Sequence, residues 1–218
     1  MAKNDPLKSQ ILAVKIIPNV SADLIDSYKL EPGQKSLGLV TSNCDDVMYT
    51  ALDEATKKAD VKVVYARSFY GGAANANTKL AGEIIGIIAG PNPAEVRSGL
   101  NVIKQFVDEE AWFVSANDDD TVPYYAHCIS RTGSYLSKVA GVTEGASIAY
   151  LIAPPLEAMY AIDAALKAAD VKLAAFYGPP SETNFGGGLL TGSQSACKAA
   201  CDAFAEAVKF IAENPTAY

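Results

Sequence analysis

Short apolar runs of strand length alternate with longer stretches carrying an apolar stripe at helical spacing, and the alternation occurs twice along the chain. Leu12 to Pro18 alternates loosely and stops at a proline, as a strand does. Ser21 to Tyr28 reads as a short helix, with Ser21 as its cap and Asp23 in the first turn. Glu31-Pro32-Gly33-Gln34 is a turn. Strand Ser36–Thr41, a helix from Asp45 to Lys58 and strand Val61–Ala66 follow. Glu83–Ala89 is then an almost wholly apolar strand, and Pro93 opens a helix whose stripe is Ala94, Val96, Leu100, Ile103 and Val107.

The second half starts near Ala111 and reads the same way. It has strand Tyr125–Ser130, a turn region around Gly133 and Gly141, strand Ser147–Ala153 and helix Leu156–Ala169. Strand Val171–Tyr177, a loop from Pro179 to Gly188 and helix Ser193–Glu213 complete it. The correspondence extends to residues. Met48 to Lys62 is answered by Met159 to Lys172, in each case an alanine-rich helix ending in Ala-Asp-Val-Lys. Met48 and Met159 lie 111 apart, Asp60 and Asp170 lie 110 apart, and Gly90 and Gly192 lie 102 apart. The first copy therefore holds extra residues, concentrated in Arg67–Lys79. A period of half the chain means two copies of one domain rather than a solenoid. The expected division is 1–110 and 111–218, and each unit reads as an α+β domain, a small antiparallel sheet with helices packed on it.

Composition narrows the function. The chain has 218 residues, half of them hydrophobic, enough to bury two cores. A net charge of -7 argues against nucleic acid or an anionic membrane as partner. No apolar stretch reaches spanning length and none reads as a signal region, so a cytoplasmic location is expected. Cys44, Cys128, Cys197 and Cys201 form no CxxC pair and read as thiols in a reducing compartment.

No catalytic set emerges. His127 adjoins Cys128 in an expected strand, where neighbouring side chains point to opposite faces. One histidine and scattered cysteines supply no zinc site, and no cofactor is expected. Gly186-Gly187-Gly188 lacks the lysine of a phosphate loop and reads as a turn. Asp45 and Asp46 open a helix, where first-turn carboxylates are ordinary. Glu83 opens an apolar strand, where a charge needs a partner or solvent. Together these three acids suit a cation, and Trp112-Phe113 are either core or an aromatic wall.

Ala161–Lys172 and Gly187–Gly192, followed by an alanine-rich helix, resemble the core of bacterial microcompartment shell domains. The strand that normally closes that domain stands before each copy here, which resembles the circularly permuted, tandem, trimer-forming class. Ser36–Leu39, Cys44–Val47, Gly90–Arg97, Ser130–Leu136, Ala153–Glu157 and Pro179–Asn184 narrow the resemblance to ethanolamine-utilisation shell proteins. It implies a homotrimer that tiles with other microcompartment shell proteins, a gated central pore, and a small acidic channel in each subunit that takes an amine of the ethanolamine class. It places Asp45, Asp46 and Glu83 in the acidic lining, with Trp112 and Phe113 as its aromatic wall. It places Arg67, Phe69, Tyr70, Gly71, Gly72, Asn75 and Asn77 in one pore loop, and Ser181, Glu182, Thr183, Asn184, Phe185 and Gly186 in the other. The competing reading is a soluble amine-binding sensor or enzyme of α+β fold using the same three acids.

Overall fold

The computed structural model describes residues 2–69, 83–179, 181 and 185–216. In chain order the elements are β1 (Pro6–Leu7), β2 (Ile11–Ile17), α1 (Ala22–Tyr28), β3 (Ser36–Ser42), α2 (Asp45–Lys58), β4 (Lys62–Phe69), β5 (Glu83–Gly90) and α3 (Pro93–Glu109). They continue with β6 (Phe113–Ser115), β7 (Pro123–Ile129), α4 (Ser134–Ala140), β8 (Ser147–Ala153), α5 (Pro155–Ala168), β9 (Val171–Tyr177), β10 (Gly186–Gly192) and α6 (Gln194–Glu213). The two units share one plan. The first sheet runs β2-β3-β5-β4, and the second repeats that order as β7-β8-β10-β9 with β6 and β1 added beside β7. All pairings are antiparallel. The fold is α+β, in two tandem domains of circularly permuted order.

Strand alternation sorts each sheet into two faces. In the first, Val40, Ile84 and Ile88 pack under α2 and α3, while Leu37, Ile87 and Ala89 form a smaller cluster on the outer face. In the second, Ala149, Leu151 and Leu190 pack under α5 and α6. Its outer face, carrying Tyr125, Ile129, Ile148, Tyr150 and Ile152, is not open. It packs on α2 and on Phe106 and Val107 of α3, so one apolar cluster spans both units. Strand β1 also crosses the 110/111 position, pairing Leu7 with Phe113.

Sequence reasoning missed three features. The region around Gly133 and Gly141 is a helix, α4, with those glycines at its two ends. Strands β1 and β6 are two and three residues long, too short for periodicity to reveal. Gly186, Gly187 and Gly188 form no turn; they open β10, with Gly187 and Gly188 paired on both sides. Glycine is required there by proximity. Gly187 has φ +148, and a Cβ on it would stand 1.9 Å from the carbonyl oxygen of Leu151. The structure also relocates the residue lost between copies. Strands β3 and β8 are offset by 111, but helices α2 and α5, each of 14 residues, are offset by 110, so the loss lies in the turn between strand and helix. Met48 thus corresponds to Ala158, not Met159.

The junction is pinned by Asp53 of α2. Its carboxylate is 1% exposed and accepts from the backbone N–H of Gly133 at 2.7 Å and of Leu136 at 2.8 Å. Thr56 Oγ1 accepts from Ser134 N at 3.1 Å beside them, and a Cβ on residue 133 would fall 2.3 Å from that oxygen. Asp53→Ala leaves two buried donors unpaired, at about 1–3 kcal/mol each. The expected outcome is a loss of about 2–4 kcal/mol in a urea titration, with Asp53→Asn recovering part of it.

Candidate functional site

Where the units meet, α2 begins beside the end of β4 and faces α4, β8 and β9. A cavity of about 490 Å³ remains there, lined among others by Asp45, Asp46, Tyr49, Arg67, Tyr150 and Phe185. The turn entering α2 is fixed by Ser42, whose hydroxyl accepts from Cys44 N at 3.0 Å. That turn directs two successive carboxylates into the junction, Asp45 at 4% and Asp46 at 6% exposure.

Each carboxylate is held by hydroxyl groups. Ser68 Oγ donates to Asp45 Oδ2 at 2.7 Å and lies 2.7 Å from Tyr49 Oη, which in turn accepts from Ser68 N at 3.0 Å. Tyr150 Oη donates to Asp46 Oδ1 at 2.8 Å. Tyr49 stacks on Tyr135 of α4 at 6.2 Å. Among the described residues, neither Asp45 nor Asp46 forms an ion pair. Burial therefore dominates their titration. It raises Asp45 from 3.8 to about 6 against the opposing Ser68 hydrogen bond. It raises Asp46 well above its ordinary value, with the neighbouring Asp45 charge adding to it. The Tyr177 hydroxyl, on the same wall, is pushed up to about 12 by burial and then by Asp46. Two adjacent carboxylates, desolvated and without a cation among the described residues, repel each other and hold their protons more tightly than exposed carboxylates do.

The structure does not bring all the expected site residues together. Glu83 does not line this cavity. It shares the side of β5 with Ile85 and Ile87, on the face of the first sheet opposite α2, where it is 4% exposed with Oε1 unpartnered among the described residues. Trp112 and Phe113 are consecutive and diverge. Phe113 is fully buried behind the cavity wall, stacked on Tyr125 at 5.3 Å and 6.2 Å from Phe185. Trp112 lines a separate groove with Tyr124 and Glu206, and Lys8 Nζ stands 5.6 Å over its ring. Of the expected pore residues, Arg67, Ser181 and Phe185 line the cavity and Gly186 begins β10. Phe69 ends β4. Tyr70, Gly71, Gly72, Asn75, Asn77, Glu182, Thr183 and Asn184 lie outside the described residues. Sequence reasoning missed Ser68, Tyr49 and Tyr150. Only Tyr150 left a signal, a hydroxyl at the centre of a buried strand that must find a partner.

His127 and Cys128 diverge across the second sheet. The imidazole lies between Tyr125 at 5.5 Å and Phe106 at 5.8 Å, and burial lowers its pKa to about 4, keeping it neutral. Cys128 Sγ lies on the other face, 3.8 Å from the Gln194 carbonyl oxygen. Among the described residues, no cluster of histidine, cysteine and carboxylate side chains is placed to hold a metal ion, and no helix is long and apolar enough to cross a membrane.

With this geometry in place, the likeness to known proteins is specific. The BMC domain family matches residues 36–117. The bacterial microcompartment shell protein EutL of Clostridium perfringens (strain 13 / Type A) is 67% identical over 216 residues, covering 99% of this chain and 100% of that protein. A crystal structure of ethanolamine utilization protein EutL from Leptotrichia buccalis C-1013-b superposes with a TM-score of 0.94 at 70% identity, covering 99% of this chain and 100% of that one. A trimeric bacterial microcompartment shell protein PduB shares the fold at 20% identity, with a TM-score of 0.76 over 94% of this chain and 89% of that one.

The carboxylate pair sets a pH dependence. A carboxyl whose folded pKa is about 6 against 3.8 makes the folded state bind more protons, so its contribution is most favourable below pH 3.8 and is lost as pH rises through 6. The loss for Asp45 alone is about 3 kcal/mol. Asp45→Asn should raise the urea midpoint at pH 8 and flatten its fall between pH 5 and pH 8; a variant that follows the wild-type pH profile would contradict the assignment.

Proposed function

We propose how this chain works from the premise that it belongs to the EutL family of bacterial microcompartment shell proteins. It is a component of the shell of an ethanolamine microcompartment. Three copies close into a ring of six domains, 1–110 and 111–218 from each chain, around a gated central pore, and the rings tile with other shell proteins. Its role is structural and selective rather than catalytic, a reading supported by the divergence of His127 and Cys128 across the second sheet.

The acidic cavity is the small-molecule site of this reading. The observation that carries it is the buried Asp45–Asp46 pair without a cation among the described residues. A primary ammonium has three donors and supplies the missing charge. Its entry favours the ionised carboxylates, so uptake near neutral pH releases protons, and affinity rises with pH while the amine stays charged. Tyr150 and Ser68 hold the acceptors in place, and Phe185 and Tyr177 offer apolar surface to the two-carbon chain. Ordering and desolvation costs leave a net affinity of about 0.1–1 mM. Glu83 stands off this cavity and acts as a separate acceptor on the opposite face.

Calorimetric titration with ethanolamine tests the site. Asp46→Asn should weaken binding about tenfold or more, from the loss of one charge-assisted hydrogen bond. Glu83→Gln should weaken it less. Wild-type affinity in Asp46→Asn would sink the site, while a wild-type mass other than three chains in native mass spectrometry would sink the ring.

A further inference from the structure

The junction cavity is larger and more aromatic than a two-carbon amine requires. At about 490 Å³ it falls among pockets that enclose drug-sized ligands, roughly 300–1,000 Å³. Six aromatic side chains line it: Tyr49 from α2, Tyr135 from α4, Tyr150 from β8, Phe176 and Tyr177 from β9, and Phe185 just ahead of β10. Both units of the chain contribute, and the rings gather around the two carboxylates. The Tyr49 hydroxyl is tied to Ser68 and that of Tyr150 to Asp46. What these two residues offer a ligand is therefore their rings.

The carboxylates are already engaged in the same way. Asp45 Oδ1 accepts from Asp46 N at 2.9 Å, Asp45 Oδ2 from Ser68 Oγ at 2.7 Å, and Asp46 Oδ1 from Tyr150 Oη at 2.8 Å. Three of the four oxygens thus accept a hydrogen bond, while neither group has an ion-pair partner among the described residues. The pair lacks positive charge more than it lacks donors. A primary ammonium brings three donors, each of which needs an acceptor or water. A quaternary ammonium brings the same charge with no donor to satisfy, and the negative faces of aromatic rings attract it. Arg67 is the one cation among the described lining residues; it is exposed and stands beyond ion-pair distance of both carboxylates.

We propose that this cavity is built for a quaternary ammonium group, and that choline, the N-trimethyl form of ethanolamine, binds there more tightly than ethanolamine itself. This ligand class stands only if the cavity is the amine site read above. The buried carboxylates supply the counter-charge, the aromatic side chains surround the methyl groups, and the volume that ethanolamine leaves empty takes up the three added methyls.

Calorimetric titration of the intact chain with ethanolamine, choline and tetramethylammonium tests it. Choline should bind about fivefold more tightly than ethanolamine, the effect of about one cation–π contact. Tetramethylammonium, which carries the charge and no hydrogen-bonding group, should displace ethanolamine. Phe176→Leu and Phe185→Leu should each lower choline affinity about fivefold and ethanolamine affinity less than about twofold. Phe176 is 54% exposed, so its replacement spares the core. Asp46→Asn should weaken both ligands, which marks one shared site. Choline bound no more tightly than ethanolamine overturns the quaternary class and leaves the amine reading standing. Choline binding that ignores Asp46→Asn, or ignores both phenylalanine variants, does the same. Absence of binding by all three ligands overturns both readings.

Discussion

Beyond the short helix α4, the outer face of the second sheet is covered by the other unit, and burying that face on α2 is the constraint that orders the molecule. Tyr125, Tyr150 and Ile152 would otherwise present a broad apolar surface to water. Desolvating α2 on two sides obliges its polar groups to find partners, and three of them find theirs across the junction. Asp53 meets two backbone N–H groups of α4, Thr50 meets Tyr125 and Asp46 meets Tyr150. The same helix in the second unit, free of that obligation, carries Leu156 and Tyr160 toward solvent.

One burial thus has two chemical results along α2. At Asp53 the carboxylate receives enough backbone donors to serve as structure, even though burial still raises its pKa. Asp45 and Asp46 receive hydroxyl donors and a single backbone N–H, from Asp46 to Asp45 at 2.9 Å, and the negative charges repel, so the pair stays electrostatically incomplete. The difference is geometric. Asp53 lies where the neighbouring element presents its N-terminal backbone, and Asp45 and Asp46 lie where it presents side chains around a void. Incomplete compensation beside an accessible cavity is what sets this pair apart from the structural contact at Asp53.

The sequence made the repeat, the strand and helix order and the acidic helix start legible, because each is written in local periodicity or in a run of neighbouring residues. The bounds of α2 and β9 agree with their structural limits to the residue. The site was legible only in half. Asp45 and Asp46 are adjacent in sequence, but whether Glu83 joins them depends on which face of β5 it takes, and alternation sends it away. Trp112 and Phe113 part for the same reason. Ser68 and Tyr150 are set by pairing across 23 and 104 residues, a separation to which no local pattern is sensitive. The glycine run misled because glycine serves tight turns and close strand packing equally, and only the distance from Gly187 to Leu151 tells them apart.

Strand β1 bears on how the duplicated chain behaves as an object. Its two residues belong by sequence to the first copy, yet they lengthen the second copy's sheet, and Leu7 is buried in the cluster that both copies share. Cutting the chain at its midpoint would strip the second half of an edge strand while exposing the face that α2 covers. Each half relies on the other to bury part of its surface, so neither is self-contained. What reads along the sequence as two like domains is, in its packing, one body whose halves are not interchangeable.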